Sequence, residues 1–479
     1  MTTQFSRRDL FTASAAAGLV GIGVLNADQP ALASSPTAPM SFGADVLVVE
    51  SFGYPATHQG WRDAIAAAVA NPGRYSRIVG TAPEYKFQIE LNIDGLSDIV
   101  ISGLGVHRTT FRAQINKPGG VSLQRLFANM GTAPVRNVTF EDFSVDCGML
   151  TLSNAQQSAL LRDERPYPAG NVDCLLSAIA IRGNRSAPAL AEARDITIRR
   201  VHIFGSRELP LSLSGIAGNA AVEDSLFERC KDVGFTSNEN VIFRRNTMLY
   251  SADNGVSISR GNAAGECTDN LSIGSYHSGI LIGGNVATAE RGPSNIVVTG
   301  NVIDRSGHFG IDATLAPSDC EFRSNIVSRS QKVGMVICGW VFDFKDSYSS
   351  HTRPADFIAS NITVSDNVFQ DNRRGGIALY HSTGVRIERN TITFSPATPT
   401  LAGVSVKSGV HLYGVSNQGI YDAVRPSSKN VTVKQNVISD TRTTGALFDG
   451  VSFLDSTSWT VTGNTVVGAL RPTRPLTPQ

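Results

Sequence analysis

Residues 295–330, NIVVTGNVIDRSGHFGIDATLAPSDCEFRSNIVSRS, contain one complete unit of a repeat that continues through most of the chain. A short β-branched run is followed by an Asn, a polar turn and a Gly-led strand, and the same order then begins again. The two ladder-type Asn residues of this stretch, Asn301 and Asn325, lie 24 positions apart. Short strands that recur at such a period, without a recurrent helix, are typical of a solenoid. The stretch therefore predicts an all-β fold, a right-handed parallel β-helix with coils of about 23 residues.

The same unit can be followed along most of the chain. Intervals between its Asn residues predict single coils, one double coil between Asn246 and Asn301, and two coils with insertions. Asn tolerates the left-handed backbone of a sharp turn, and its amide can bond the equivalent Asn one coil away, so we expect a ladder. The strand-like runs are 137–140, 195–198, 240–243, 270–273, 295–298, 320–322, 361–364, 384–387, 430–433 and 459–461, and the Asn residues are Asn246, Asn301, Asn325, Asn367, Asn390, Asn436 and Asn464.

The first 33 residues are predicted to be a targeting signal and not part of the fold. The sequence SRRDLF at 6–11 precedes a moderately apolar run, and ALA at 31–33 provides a small-residue cleavage pattern. Paired arginines before a mild apolar region resemble a twin-arginine (Tat) signal; an Arg pair in an ordinary secretory signal is the alternative. The resemblance implies export of the folded protein to the periplasm or the extracellular space, with 34–57 as a linker and first strand.

Composition agrees with an exported, soluble solenoid. Charged residues make up 17% of the chain and the net charge is +1, so we expect no nucleic-acid partner. No other apolar run approaches the ~20 residues that span a bilayer, so we expect no membrane contact in the mature form. A solenoid grows by adding coils, which predicts one domain at 75–470, with insertions near 146–193, 339–357 and 396–428.

The tail at 471–479 is predicted to be disordered. Side-by-side association of copies is possible, and nothing in the sequence fixes the number of copies.

Six cysteines in an exported chain raise the question of disulfides. Their positions offer a pair across the first insertion, a pair in neighbouring coils and a pair within one coil, and no CxxC or Cys/His metal spacing occurs. Free thiols stacked in the core are the alternative. The three candidate pairs are Cys147 with Cys174, Cys230 with Cys267, and Cys320 with Cys338.

The segment before the first coils breaks the repeat. HQGWRDAIAAAVA at 58–70 places apolar residues at helical spacing, and the Asn-Pro-Gly at 71–73 is a helix stop. Because the end of a β-helix exposes strand edges and core, we expect the segment 58–74 to contain a capping helix.

Cap, turn and coils together resemble the right-handed parallel β-helix proteins of the pectate-lyase-like superfold. The motifs that carry the resemblance are ISGLG at 101–105, an I-x-G-x-G turn, and NITVSDN at 361–367, an N-x-T-[IV]-x-x-N coil. The resemblance covers residues 58–468. It implies a carbohydrate-active protein, because members are mostly polysaccharide lyases, glycoside hydrolases, fructotransferases, epimerases and phage tail-spike glycanases.

No subfamily motif accompanies the resemblance. The acidic clusters of the pectate lyases, the paired Asp and Gly-His-Gly of the polygalacturonases and the Asp-Pro-His of the alginate epimerases are absent from the sequence. Asp253 and Glu266 faintly resemble the acidic pair of the inulin fructotransferases. The activity therefore has to be argued from the site itself.

Candidate site residues follow from aligning the coils on the Gly that opens a strand after each turn. Two positions before these glycines stand acids, then imidazoles, then cations, and stacking at about 4.8 Å would place them in one column on one face. Alternation points the second residue after each Gly outward. An ordinary solvated surface is the alternative. The column is Asp232, Asp253, His277, His308, Lys332, Arg374 and Lys407, and the outward set is Thr236, Ser257, Leu281, Asp312, Val336, Ala378 and His411.

The acids of this group favour hydrolysis or transfer. In a hydrolase one carboxyl acts as the acid while another acts as the base or nucleophile. Asp253 and Asp312 lie two coils apart, about 9.6 Å along the axis, near the upper limit for an inverting pair. Glu266, on the loop beyond Asp253, could replace either.

The imidazoles and cations favour elimination from an acidic glycan. In a lyase, His277 or His308 would take the proton next to a uronate carboxylate, while Lys332, Arg374 or a metal ion stabilises the developing anion. No cofactor is expected; Ca²⁺ is an alternative, although no D-x-D-x-D loop supports it.

Residues for substrate binding are expected in the column and in the insertions. Sugar rings stack on aromatic faces because their C–H surfaces are apolar, and packing of these rings onto the coils is the alternative. The substrate-binding candidates are Lys332, Arg374, Lys407, Trp340, Tyr348, Tyr380, His381, His411 and Tyr413.

These residues favour an exported enzyme that cleaves a polysaccharide or oligosaccharide, as a glycosidase, a fructotransferase or a polysaccharide lyase. A glycan-binding or surface-adhesion solenoid without catalysis is one alternative. A sugar epimerase is the other.

Overall fold

Short parallel strands, stacked coil upon coil, form nearly all of the regular structure. The computed structural model describes residues 42–54, 56–113, 125–148, 177–206, 208–284, 290–339, 357–396, 408–412, 428–442, 449–454, 458–468 and 471–476. The described residues from Ala44 onward belong to one compact unit. Helical elements among them are a 3-10 helix, Val49–Phe52, and an α-helix, α1, His58–Ala70.

The strands, in chain order, are β1 Val46–Val48, β2 Arg77–Val79, β3 Glu84–Phe87, β4 Leu91–Asn92, β5 Ser97–Ser102, β6 Thr110–Ala113, β7 Arg125–Ala128, β8 Val135–Asp146, β9 Ser177–Arg182, β10 Ala193–Phe204, β11 Leu211–Ser214, β12 Ala217–Glu223, β13 Leu226–Glu228, β14 Val233–Thr236, β15 Asn240–Arg244, β16 Thr247–Leu249, β17 Val256–Ile258, β18 Gly265–Thr268, β19 Leu271–Ile273 and β20 Ile280–Gly283. They continue as β21 Ile296–Thr299, β22 Val302–Asp304, β23 Ile311–Thr314, β24 Glu321–Arg323, β25 Ile326–Ser328, β26 Val333–Cys338, β27 Ala359–Ser360, β28 Thr363–Ser365, β29 Val368–Gln370, β30 Gly375–Tyr380, β31 Ser382–Thr383, β32 Arg386–Glu388, β33 Thr391–Phe394, β34 Ser408–Leu412, β35 Val431–Lys434, β36 Val437–Asp440, β37 Asp449–Leu454, β38 Trp459–Thr462, β39 Thr465–Val467 and β40 Arg471–Leu476.

Three parallel ladders run along the coils. One is a sheet of 13 strands that includes β14, β17, β20, β23, β26 and β30 in that order. The other two ladders belong to a sheet of 25 strands, because the long strands β8 and β10 each pair in both. Strand pairings in the described coils are parallel, so the fold is the all-β parallel β-helix that the sequence predicts.

Apolar side chains of equal phase stack inside the coils. In the 13-stranded sheet Ile280, Ile311, Met335 and Ile377 lie level with one another, and each is fully buried. Burying a side chain of this size contributes about 1.5–3 kcal/mol, so each rung supports its neighbours. Alternation then points the intervening residues, including Asp312, to the outer face of this sheet.

The predicted Asn ladder is present and continuous. From Asn270 to Asn464 the side chains stack, and from Asn301 onward each Oδ1 accepts both the backbone N–H and the Nδ2–H of the preceding rung at 2.9–3.1 Å. The Nδ2 group of each rung also donates to a backbone carbonyl of the preceding coil. The ladder thus satisfies buried polar groups at a corner where no strand can.

Two details of the ladder differ from the sequence-based expectation. The left-handed backbone belongs to the residue before each rung, such as Arg245, Asp269 and Ser324, and not to the Asn itself. The interval between Asn246 and Asn301, predicted to be a double coil, does contain two coils, but Asn270 is a ladder rung between them and not the predicted strand start. The run at 270–273 therefore lies in a different ladder from the other nine.

Helix α1 occupies His58–Ala70, within the segment predicted to cap the coils. Trp61 is fully buried, and its ring lies 5.1–6.1 Å from the rings of Tyr85, Phe111 and Phe127, measured between centroids. The aromatic rings of the first coils thus pack against the helix and seal the core at that point. Among the described residues no helix is both long and apolar enough to cross a membrane.

The buried cysteines and the tail also differ from expectation. Cys230, Cys267 and Cys320 carry free thiols, so neither the Cys230–Cys267 nor the Cys320–Cys338 pair forms, and the stacked-thiol alternative holds for these residues. Burial raises the pKa of the Cys230 thiol to about 11. Residues Arg471–Leu476, predicted to be disordered, form a strand that pairs with β37, because their backbone continues the ladder. Cys174 and most of the three insertions lie outside the described residues.

Candidate functional site

The predicted column stands where the chain enters the 13-stranded sheet. Backbone hydrogen bonds connect it coil by coil: the N–H of His277 donates to the carbonyl of Asp253 at 2.9 Å, and that of His308 donates to His277 at 2.8 Å. Lys332 follows at 2.8 Å and Arg374 at 3.0 Å. Five members of the column are therefore stacked at equal phase, in the order acid, imidazole, imidazole, cation, cation.

The middle of the column is a contact group of two rings and an ammonium. The centroids of the His277 and His308 rings are 4.1 Å apart. Lys332 Nζ lies 3.3 Å from His308 Nδ1 and 5.3 Å from the centroid of the Phe309 ring. Because an ammonium can only donate, His308 Nδ1 accepts in this contact, so this nitrogen carries no proton.

Asp312 lies beside this group on β23. It is level with Leu281 and Val336 on the outer face of the sheet, yet only 4% of it is exposed. The Ser278 hydroxyl stands between Asp312 and His277, with Oγ 3.4 Å from Asp312 Oδ2 and 3.4 Å from His277 Nδ1. Within the described part of the chain the buried Oδ1 of Asp312 has no hydrogen-bond partner.

This environment changes the acidity of Asp312. Burial raises the pKa of its carboxyl above the ordinary value, and the neighbouring His277, Thr314, Lys332 and Ser278 oppose that rise without cancelling it. A buried carboxylate with one unsatisfied oxygen binds a proton more readily than an exposed one. Asp312 is therefore a carboxyl with a raised pKa that is connected to an imidazole through one hydroxyl, that of Ser278.

A second carboxyl with a raised pKa lies at the acidic end of the column. Burial, and then the negative charge of Asp253, raise the pKa of Asp232, while Lys231 and a hydrogen bond from Asn254 oppose the rise. The Nδ2 group of Asn254 also donates to Asp253 Oδ1 at 3.1 Å. The negative charge of Asp253 thus adds to burial in holding the pKa of Asp232 above its ordinary value.

The register corrects the first member of the predicted outward set. Strand β14 pairs Val233 with Val256 and Gly234 with Ser257, so Gly234 is not level with Gly255, the glycine with which the sequence aligns it. Thr236 therefore falls two residues beyond the level of Ser257. The shift occurs because both Val233 and Phe235 are core residues, and this register places them over two other core residues.

Glu266 does not belong to the site. It lies on β18, in the 25-stranded sheet, level with Ile242 and Val297, and its carboxylate is 3.7 Å from Arg244. The chain turns a corner of the coil after Ile258, which carries Glu266 to another face. Its predicted role as a replacement for Asp253 or Asp312 is therefore wrong.

The axial spacing also understates the distance between Asp253 and Asp312. Asp253 occupies the phase of His308, whereas Asp312 lies four residues further along the same coil. The two-coil separation of about 9.6 Å is thus only one component of the distance. This offset argues against these two carboxyls acting as one inverting pair.

The residues predicted to bind substrate do not share one environment in the structure. Tyr380 is 6% exposed and belongs to a second apolar cluster on the outer face, with Val336, Cys338 and Ala378 among its members. The His381 ring stacks 4.3 Å from that of Tyr380 and is likewise buried, so packing describes both better than sugar stacking does. The backbone of His411 pairs with that of Ala378. His411 therefore continues the column that runs from Leu281 through Asp312 and Val336 to Ala378. Lys407, Trp340, Tyr348 and Tyr413 lie outside the described residues.

Aligning the coils on their glycines does not identify two residues that flank the histidines. Ser278 links His277 to Asp312, and Tyr276 is 47% exposed with its ring centroid 6.5 Å from that of His308. Both flank His277 directly, which is the signal that could have identified them. In the part of the chain that the structure covers, no group of His, Cys, Asp and Glu is arranged to hold a metal ion.

Comparison with known proteins supports the architecture. The model of a family described as right-handed beta helix region matches residues 167–327, 287–418 and 347–470. No curated protein sequence matches the chain.

Solved structures with a similar fold include two A-modules of mannuronan C-5 epimerases from Azotobacter vinelandii. The AlgE6 module is 14% identical with a TM-score of 0.55, over 90% of this chain and 100% of its own. The AlgE4 module is 15% identical with a TM-score of 0.52, over 91% and 99%. The Streptococcus pneumoniae surface adhesin PfbA is 13% identical, over 90% and 93%, with a TM-score of 0.49. At such identities the similarity shows the fold alone.

Proposed function

Because the chain belongs to the right-handed β-helix family, whose stacked coils present residues of equal phase in columns, we propose that it cleaves an acidic saccharide by β-elimination. The observation that carries the proposal is the contact series from His277 through Ser278 to Asp312, beside the His308 ring and the Lys332 ammonium. Two solved structures of similar fold are named as epimerases of mannuronan, itself an acidic polysaccharide, which agrees with a substrate of this class.

The hydrogen-bond pattern supports His277 as the base in this proposal. The Ser278 hydroxyl donates to Asp312 Oδ2, so its oxygen accepts from the Nδ1–H of His277. This tautomer leaves the lone pair of His277 Nε2 to accept a proton, whereas the contact with Lys332 holds His308 with an unprotonated Nδ1. His277 is therefore the catalytic base in the proposal.

The elimination moves one proton and one electron pair. His277 takes the proton from the carbon next to the uronate carboxylate, and the electrons of that C–H bond form a carbon–carbon double bond. The glycosidic C–O bond on the adjacent carbon breaks, and the departing oxygen receives the proton from the His277 imidazolium. Lys332 and Arg374 would face the substrate carboxylate, whose negative charge grows as the proton leaves.

Asp312 acts on this step through Ser278 and is a positioning residue. It holds the imidazole in one tautomer and stabilises the imidazolium that forms, as a carboxylate does behind an imidazole base. Its raised pKa increases its affinity for the positive charge that develops on His277. The burial of Asp312 keeps water from weakening that interaction.

Hydrolysis is the second candidate function, and the Asp232–Asp253 pair favours it. One carboxyl with a raised pKa next to a second carboxyl is the arrangement of an acid and a nucleophile or base in glycoside hydrolysis. In that case the imidazoles would bind substrate, and the chemistry would lie at the acidic end of the column.

One experiment separates these functions. Purified protein is incubated with oligomers of mannuronate, guluronate, galacturonate and glucuronate, and with neutral glucans and fructans as matched controls. Ultraviolet absorbance of an unsaturated product, together with new reducing ends, supports elimination. Reducing ends without absorbance would instead support hydrolysis, and should then be lost in Asp232→Asn and Asp253→Asn.

The remaining alternatives have their own outcomes in the same panel. A change of sugar configuration in the proton NMR spectrum, with no new chain ends, would indicate an epimerase and contradict cleavage. Binding of an oligomer with no chemical change would indicate a glycan-binding solenoid.

A further inference from the structure

An exposed aromatic ring directly precedes His277, and a second stands on the neighbouring coil. Tyr276 and Tyr250 are 47% and 50% exposed, whereas most aromatic rings in the described coils are buried. Tyr276 lies next to His277 in the chain, and Tyr250 is level with Gly274, two residues before Tyr276. A single exposed ring on a turn indicates no function by itself, but a ring beside a pair of histidines offers a surface on which a sugar ring can stack.

Small residues flank both tyrosines in the stack of coils. Hydrogen bonds place Ala252, Tyr276 and Gly307 at one phase in three successive coils, so the tyrosine has small residues on both sides. A side chain at Gly307 would meet the carbonyl oxygen of Tyr276 at 2.0 Å, so that coil must approach without one. At Gly274, which has φ of +71°, an added Cβ would lie 2.9 Å from Cδ1 of the Tyr250 ring.

The Tyr276 ring is directed towards the proposed chemistry. Its centroid is 6.5 Å from that of His308 with an interplanar angle of 35°, and the His308 ring in turn contacts that of His277, tilted by 49°. A saccharide bound across His277 would therefore place its next ring over Tyr276. The apolar C–H face of a pyranose matches such a ring, while its hydroxyls remain in water.

We propose that Tyr276, extended by Tyr250, is a stacking subsite for the sugar ring next to the one that reacts. This inference rests on the proposed function, because it takes the histidines as the point of attack. The subsite positions the saccharide chain without touching the reacting atoms. The saccharide chain would then lie along the column in one direction, from the aromatic ring of Tyr276, past the imidazoles, to the cations that bind the carboxylate.

The test measures binding apart from turnover. Isothermal titration with the panel of uronate oligomers is performed on the Asp312→Asn protein, which is expected to bind without rapid cleavage. Adding Tyr276→Ala should weaken binding about three- to tenfold, and Tyr276→Phe, which keeps the ring, should restore it. Tyr54→Ala is the matched control, because Tyr54 is 44% exposed near the capping helix and remote from the column.

The outcomes distinguish this inference from the function on which it rests. Affinity for the uronate oligomers that is unchanged by Tyr276→Ala would overturn the subsite while leaving the proposed enzyme intact. In the otherwise unsubstituted protein, Tyr276→Ala should raise KM and leave kcat nearly unchanged. Failure of the unsubstituted protein to bind or convert any uronate oligomer would overturn both proposals.

Discussion

Asp312 is the residue at which the stability and the activity of the molecule are expected to oppose each other. Its carboxyl is buried, its Oδ1 has no partner in the described coils, and its pKa is raised in the folded state. Between the ordinary pKa near 3.8 and the raised value, the folded state holds more protons than the unfolded one. Folding stability attributable to this group is therefore lost as pH rises through that window.

The first prediction follows for Asp312→Asn. At neutral pH the amide removes the cost of a buried charge, so the melting temperature should rise, and the gain should vanish below about pH 3.8. The rate of elimination should fall by about 100-fold or more, because the imidazolium of His277 loses its counter-charge. Thermal unfolding at several pH values and initial rates are the measurements. A variant that is less stable at neutral pH would contradict the assignment of a raised pKa.

The second prediction concerns the pH dependence of turnover. Elimination requires ionised Asp312, so kcat/KM should decline as pH falls through the raised pKa of Asp312, which lies above the ordinary value of 3.8. The profile of Asp312→Asn should lack this component. Identical acidic limbs in both proteins would exclude Asp312 from the reaction.

At the scale of single residues the sequence locates only part of the site. Aligning the coils identifies His277, His308, Lys332 and Asp312. It does so because residues at equivalent positions of successive coils lie above one another in a stack of strands. Ser278 is not found, since its role depends on a hydroxyl that reaches across a turn. Thr236 is misplaced because a two-residue register shift between coils leaves no trace in the spacing of glycines.

At the scale of elements, removing one Asn from the buried ladder is expected to lower the free energy of unfolding substantially. Asn325 is fully buried, donates to the carbonyl of Val298 and to Asn367, and accepts from Asn301. Removing such an amide leaves buried donors and acceptors unsatisfied, at about 1–3 kcal/mol for each group.

The third prediction is that Asn325→Ala lowers stability by about 2–3 kcal/mol, with amide exchange accelerated first in the coils that flank the gap. Asn219→Ala is the matched control. Asn219 is exposed and also bonds an Asn one coil away, at 2.8 Å to Asn240, so its loss should cost much less. Equal destabilisation by the two substitutions would contradict the importance of burial in the ladder.

The capping helix provides the fourth prediction. Trp61 joins α1 to the aromatic rings of the first coils, and truncation of a fully buried Trp typically costs about 3–5 kcal/mol. Trp61→Ala should therefore lower the melting temperature and expose the first coils to proteolysis. Trp61→Phe should retain most of the stability. Proteolysis that begins at the opposite end of the coils in Trp61→Ala would contradict a capping role.

Strand prediction succeeds or fails by composition. Nine of the ten strand-like runs lie in one ladder because β-branched residues and a preceding turn mark them. Strand β18, Gly265–Thr268, was missed because Gly, Glu and Thr around Cys267 lack that pattern, and its pairing is imposed by the coils on both sides. Without β18 the sequence analysis does not recognise Asn270 as a ladder rung and leaves Glu266 on a loop beyond Asp253, whereas Glu266 lies on a strand of the 25-stranded sheet.

At the scale of the whole molecule, we propose export through the twin-arginine pathway, on the strength of the SRRDLF sequence at 6–11. The fifth prediction is that replacing both arginines, Arg7→Lys with Arg8→Lys, retains the protein in the cytoplasm. Cell fractionation with an antibody to the mature region is the measurement. Unchanged export of the double variant would contradict the pathway and favour an ordinary secretory signal.

The architecture as a whole was accessible from the sequence, whereas the reaction was not. A period of about 23 residues is repeated often enough that local errors, such as the missed β18, do not change the fold. Catalytic geometry occurs once, in a few contacts between three coils, and has no repetition to reinforce it. The second apolar cluster shows the same limit, because the outward Val336 and Ala378 are buried although alternation alone would expose them.

The central claim is that His277 removes a proton from an acidic sugar at the outer face of the 13-stranded sheet. The most direct test compares the initial rate of unsaturated-product formation from a uronate oligomer by the unsubstituted protein and by His277→Gln, at equal thermal stability. We predict a loss of about 100-fold or more for His277→Gln, and no loss for Tyr54→Ala. Unsaturated product formed by His277→Gln at the rate of the unsubstituted protein would contradict the claim.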